Sequence, residues 1–213
     1  MTQDEREYFD HLVKIMLQTR GVRFTASETE RKKDLHSIIT IAFLSIYLTG
    51  WAFVSALYPE AFNAFDLRVL SIVSVMASIS LLVISLFDYA AGRAVQSEKL
   101  LQNALMISPL AREMERQLVS PNPNVKRLGD IASEYEHLIA NTGVNHTSAD
   151  YRLWAFEKRQ PSNCIERLLL PPMKMVRRSL LFMYSAIFQL CIIIVVLMAT
   201  VWLAVNVFSV APH

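Results

Sequence analysis

The sequence predicts an all-α membrane protein, with three transmembrane helices and a cytoplasmic helical module between the second and third. Three observations carry that prediction. Apolar residues make up 53% of the 213-residue chain and charged ones 19%, with a mean hydropathy of +0.31, a balance uncommon in soluble proteins. Three apolar runs reach the roughly 20 residues that a helix needs to cross a hydrocarbon core of about 30 Å. Elsewhere apolar residues recur at helical spacing, with no strand alternation, internal repeat or low-complexity segment.

Residues 1–34 read as a cytoplasmic amphipathic helix and a basic flank. Thr2 is placed to cap the helix, with Asp4 and Glu5 in its opening turn, and Tyr8, Leu12, Ile15, Met16 and Thr19 share a face. Gly21 is expected to stop it. Ser27 and Glu30, in "SETE", have capping-box spacing and are expected to open the next helix, which runs through "RKK" into the first span. That span, residues 35–59, is "LHSIITIAFLSIYLTGWAFVSALYP", with His36 at the edge, where an imidazole reaches the interface. Residues 60–68 form an external loop. The second span, 69–87, is "VLSIVSVMASISLLVISLF", bracketed by Arg68 and Asp88. A run this short also fits a buried core helix.

Residues 88–178 form the cytoplasmic module. With only Gly92 as a breaker before Pro109, the second span is expected to continue as one rod to about "SPLARE", its sticky side made by Val95, Leu100, Leu101, Leu105 and Met106. After "SPNPN" a further helix carries Leu128, Ile131, Tyr135, Leu138 and Ile139 on one face and ends at Gly143. A short helix starts at Thr147 or Ser148, with Asp150 in its first turn, and brings Tyr151, Trp154 and Phe156 before Pro161. The third span, 179–210, contains no charged residue.

Lys and Arg set the orientation. Arg31, Lys32 and Lys33 precede the first span, Arg93 and Lys99 follow the second, and Lys174, Arg177 and Arg178 precede the third, whereas the 60–68 loop holds Glu60, Asp66 and a single Arg68. The positive-inside rule places the N-terminus and residues 88–178 in the cytoplasm and the C-terminus outside. The charged first 34 residues contain no apolar h-region, against a cleaved signal peptide.

Other chemistry is not indicated. Net charge +2 implies no general nucleic-acid surface, so direct nucleic-acid binding is not expected, and Lys174 to Arg178 is explained by topology and anionic headgroups. Cys164 and Cys191 are read as two reduced structural thiols. No Walker loop, zinc pattern or nucleophile–base pair occurs, so neither enzymatic activity nor a cofactor or metal is expected. His137, His146 and Asp150 lack ligand spacing. A transporter is disfavoured by the absence of intramembrane charge and of a repeated half.

The order of features resembles a known family. A basic-flanked pair of spans with "FLSIYLTGWAFVSALYPE" is followed by an exit helix, "DYAAGRAVQSEKLLQNAL", and then by "EYEHLIANTGVNHTSADYRLW". This is similar to the SLATT family of bacterial two-span membrane effectors. There a Tyr-x-x-Leu-Ile element precedes an Asn-His and an Asp-Tyr or Asp-Phe pair, positions filled here by Tyr135, Leu138, Ile139, Asn145, His146, Asp150 and Tyr151. The resemblance covers about residues 1–160, and the third span goes beyond a two-span core. Branches extended in that way include ones similar to effectors encoded beside reverse transcriptases. The resemblance implies an inner-membrane effector of abortive infection, a homo-oligomer that forms or promotes a pore when a nucleotide-signal sensor or reverse-transcriptase partner is triggered. The competing expectation is a harmless membrane anchor or scaffold for a cytoplasmic enzyme.

Two stripes of small residues are the candidates for helix association or a pore lining. Ser45, Thr49, Ala52 and Ala56 fall within about 60° on the first span at 100° per residue, and Ser71, Ser74, Ser78 and Ser85 within a similar width on the second. Either set serves packing inside one protomer or a wet path after oligomerisation. Asn145, His146 and Asp150 are read as a turn and cap that fix the angle between two helices, or as a partner contact within the coupling module.

Overall fold

The computed structural model describes residues 1–59, 62, 64–161, 169–174, 176, 187, 191, 193–198, 200–202 and 205. Among the described residues the helices are α1 (Gln3–Leu57), α2 (Ala64–Ala91), α3 (Arg93–Val119), α4 (Val125–Asn141) and α5 (Ser148–Lys158), with further helical residues at 169–174 and 193–198 and no strand. The chain divides into two compact units. One comprises Met1–Arg31 and Arg93–Met175, the other Lys32–Gly92 and Val176–His213.

α1 starts as the sequence predicts. The Glu5 amide donates to Thr2 Oγ1 at 3.2 Å while the Thr2 amide donates to Glu5 Oε2 at 2.7 Å, a reciprocal capping box. It does not stop at Gly21, and no second helix opens at Ser27; α1 runs unbroken for 55 residues. The cap-forming hydroxyls are satisfied inside the helix instead. Thr25 Oγ1 donates to the Gly21 carbonyl at 3.2 Å and Thr29 Oγ1 to the Thr25 carbonyl at 2.9 Å, the i−4 bond that lets Ser and Thr sit mid-helix.

In the first unit α1 runs antiparallel to α3, with Ser27 meeting Ser97 and Arg23 meeting Asn103. Ser97, Leu100, Ala104, Ile107, Ala111, Met114 and Leu118 alternate by three and four residues along α3 and are all buried, the spacing of a coiled-coil seam. Phe9, Val13 and Met16 of α1 face it, and Leu128, Ile131, Ala132 and Tyr135 of α4 complete the core. The predicted face of α1 was rotated: Met16 is fully buried, but Tyr8 is 56% and Ile15 38% exposed. On α3, Leu100 is buried as expected, whereas Val95, Leu105 and Met106 are exposed. The physical reason is shared. Both seams continue through polar residues (Arg23 and Ser27, Ser97 and Asn103) that an apolar pattern does not count.

The rod expected after the second span continues to Val119 and is interrupted at one residue, Gly92. Gly92 sits at φ +54°, and its amide donates to the carbonyls of Asp88 and Tyr89, each at 3.2 Å, so α2 ends there in a left-handed turn that favours glycine. α3 passes through Pro109 to Val119. Proline costs one backbone hydrogen bond, and the buried residues Leu110, Ala111 and Met114 beyond it hold the helix together.

The second unit holds the apolar helices. Two helical stretches, Gln3–Leu57 and Leu67–Val119, the second counted through Gly92, are each long and apolar enough to cross a membrane. Their packed seam is narrow: Leu44 meets Ala77, Ile84 and Val196, flanked by Ile41, Tyr47, Leu48 and Leu81. Most other apolar side chains point outward, including Ile46 at 74%, Phe87 at 70% and Ile72 at 64% exposure. That is the surface of a helix suited to lipid, not the mostly buried helix of a soluble core. The third apolar run lies largely outside the described residues. Within it Val196 joins the seam, the Tyr47 hydroxyl donates to the Val196 carbonyl at 3.4 Å, and Tyr47 and Thr200 share a hydrogen bond.

Candidate functional site

The polar chemistry of the first unit converges on Arg23, where α1, α3 and the end of α4 meet. Arg23 Nη1 donates to Asn103 Oδ1 and, at 3.3 Å, to Thr142 Oγ1. Asn103 Nδ2 in turn donates to Thr142 Oγ1 and to the Leu138 carbonyl at 3.1 Å, and Thr142 Oγ1 donates to that carbonyl at 2.6 Å. Arg23 is 2% exposed and its Nε is buried with no hydrogen-bond partner. Among the described residues no carboxylate pairs with it. Beside it the Tyr135 hydroxyl donates to Thr19 Oγ1 at 3.1 Å.

The α4–α5 turn closes over this node. Gly143, at φ +62°, ends α4 after Thr142, whose amide donates to the Ile139 carbonyl. The His146 amide donates to Asn145 Oδ1 at 3.0 Å. Thr147 and Asp150 then form a full capping box: the Asp150 amide donates to Thr147 Oγ1, and the Thr147 amide and hydroxyl both donate to Asp150 Oδ2, at 2.8 and 2.7 Å. α5 thereby carries Trp154 onto Gly21. A β-carbon at residue 21 would overlap the Trp154 indole nitrogen and stand 2.9 Å from Cε2. Gly21 is therefore a close-approach position within a continuous helix.

His146 is held below its ordinary pKa, first by burial and then by the nearby Arg23 charge, with Asp150 opposing. The imidazole is thus neutral in the folded unit at neutral pH. The unfolded chain takes up a proton here as pH falls through about 6.5, so the folded unit loses stability relative to it below that pH. Melting of the full chain at pH 7.5 and 5.5 should show the acid loss, and His146→Gln should shrink it.

The predicted coupling residues are placed unevenly. Tyr135 is in the core, Leu138 and Ile139 are half-buried beside it, and Leu138 enters the node through its carbonyl. Asn145, His146 and Asp150 lie in the turn, and Tyr151 is 42% exposed with its ring 6.0 Å from that of Trp154. Sequence reasoning missed Arg23, Asn103 and the Gly21–Trp154 contact. The available signal was spacing, since Phe9, Met16 and Arg23 stand seven residues apart.

The small-residue stripes fall mostly outside the seam of the second unit. Ser45, Thr49, Ser71 and Ser78 are exposed, while Ser74 and Ser85 are half-buried. Ser45, Thr49, Ser71, Ser78 and Ser85 each donate to the carbonyl four residues earlier, at 2.8–2.9 Å. Among the described residues no group of three or more His, Cys, Asp or Glu could hold a metal ion. Cys191 is a free, exposed thiol, and Cys164 lies outside the described residues.

Neither a curated protein nor a solved structure matches the chain. The family model described as SMODS and SLOG-associating 2TM effector domain family 5 matches residues 5–210. The match runs through the C-terminal apolar segment, which therefore lies within the family pattern and is not an addition to it. With two apolar helices of spanning length in an all-helical fold and a match over nearly the whole chain, this protein belongs to the SLATT effectors, in SMODS and SLOG-associating 2TM effector domain family 5.

Proposed function

We infer that the chain is a membrane-damaging effector of a bacterial antiviral system, silent until a cytoplasmic partner such as a nucleotide-signal sensor or a reverse transcriptase is triggered. It then assembles as a homo-oligomer in the inner membrane and opens a path that depolarises the cell, without a catalytic step. The basic flanks favour a cytoplasmic N-terminus and 88–178 module, a third span after residue 178 and an external C-terminus. Family membership supplies the effector role. The observation that carries the pore is the placement of the hydroxyl stripes. Ser71 and Ser78 on α2, and Ser45 and Thr49 on α1, stand outside the protomer's own seam. Their bonds to their own helix satisfy them in lipid, and the same hydroxyls can face a second protomer or a file of water after assembly.

Replacing Ser71, Ser74, Ser78 and Ser85 together by Leu should cut dye leakage by roughly an order of magnitude while the oligomer still forms. Vesicle leakage read beside chemical cross-linking checks this. Unchanged leakage would remove the stripe from the path.

A further inference from the structure

We propose that the groove between α3 and α4 is a binding site for a small phosphate-type oxyanion, with the buried Arg23 guanidinium standing behind its wall as the fixed positive charge. The groove is open, has a volume of about 800 Å³, and is lined by Asn103 and Thr142, the two side chains that hold Arg23. A buried cation normally stands against a carboxylate, because burial removes the water that would solvate it. Arg23 has an amide and a hydroxyl instead, and its Nε is without a partner. The nearest acid of the turn, Asp150, is committed to Thr147.

The rim adds what an anion with several acceptor oxygens needs. Lys99 and His137 line it, together with Asn141, and among the described residues Lys99 forms no ion pair. Glu134 is the one carboxylate in the lining and opposes an anion, so the arrangement favours a ligand with enough charge to outweigh it. Donors from two helices converging on one concavity, backed by a dehydrated charge, are the elements of charge-assisted oxyanion recognition. This goes beyond the membrane-effector reading. Binding is a property of the purified chain and does not depend on leakage.

Thermal unfolding of the full chain in detergent, with inorganic pyrophosphate against sodium chloride of equal ionic strength, tests it. Pyrophosphate should raise the melting temperature beyond the salt control. Lys99→Gln, on the exposed rim, should weaken binding roughly tenfold, Arg23→Gln should abolish it, and Glu134→Gln should strengthen it. The two rim variants keep the test decisive if Arg23→Gln does not fold. A pyrophosphate shift that is absent, or the same in Lys99→Gln as in the parent, overturns the proposal. So does stabilisation by phosphatidylglycerol vesicles with none by pyrophosphate, which would assign the effect to a lipid surface.

Discussion

Ile131→Ala is expected to destabilise the first unit by about 3 kcal/mol, within the range of roughly 2–5 kcal/mol for truncating a buried Ile or Leu. Ile131 is fully buried and belongs to a core drawn from three helices, among them Met16 of α1, Ile107 and Met114 of α3 and Leu128 of α4. Among the described residues its neighbours in this core all belong to α1, α3 and α4, so the gap is walled by helices that collapse only partly. The chain has three tryptophans, of which only Trp154 lies in this unit. Urea unfolding followed by Trp154 fluorescence, with Trp51 and Trp202 replaced by Phe, reads the loss directly. A change below about 1 kcal/mol would mean that α4 does not pack on α1 and α3 as described.

Gly21→Ala is expected to destabilise the same unit, by about 1–3 kcal/mol, although helix propensity alone argues for a gain of about 1 kcal/mol at a mid-helix glycine. The sign discriminates between two accounts. If Gly21 merely weakens α1, alanine helps. If Gly21 is the surface on which the Trp154 indole rests, the added methyl must displace a ring that α5 holds through its capping box. The same fluorescence melt decides it, and a red shift of Trp154 emission in the folded variant should accompany the loss.

These two positions also show what was legible in the sequence. The caps at Thr2 and Thr147, the end of α4 at Gly143 and the face of Leu128, Ile131 and Tyr135 follow from local chemistry, and the structure has each of them. Gly21 was misread because its cause lies 133 residues away in Trp154, and a close approach leaves no local mark. The "SETE" signal failed for a related reason. Ser27 has the residues of a helix start, but its hydroxyl is buried against Ser97, and packing overrode the local preference. Of the candidate site, the α4–α5 turn was found by its motif residues, while Arg23 and Asn103 were not. A buried arginine at an otherwise apolar seam position reads as solvent-facing until its partners on two other helices are known.

The polar layer has a consequence for specificity. Single polar residues at seam positions fix the register of paired helices at some cost in stability, and here Arg23–Asn103–Thr142 and Ser27–Ser97 stand next to each other along α1 and α3. The apolar seam beyond them, at Phe9, Val13 and Met16, supplies the adhesion. A seam of this composition has a defined register where it is polar and its main stability where it is apolar.

The central claim, that this SLATT chain damages the membrane, is tested most directly by inducing it alone in a bacterial host and recording membrane potential and dye entry, with the chain verified in the inner membrane. Depolarisation and dye entry within the time that growth stops, suppressed when its cytoplasmic partner is co-expressed, is the predicted result. An intact potential and unimpaired growth with the chain correctly inserted would contradict the claim and leave a membrane anchor.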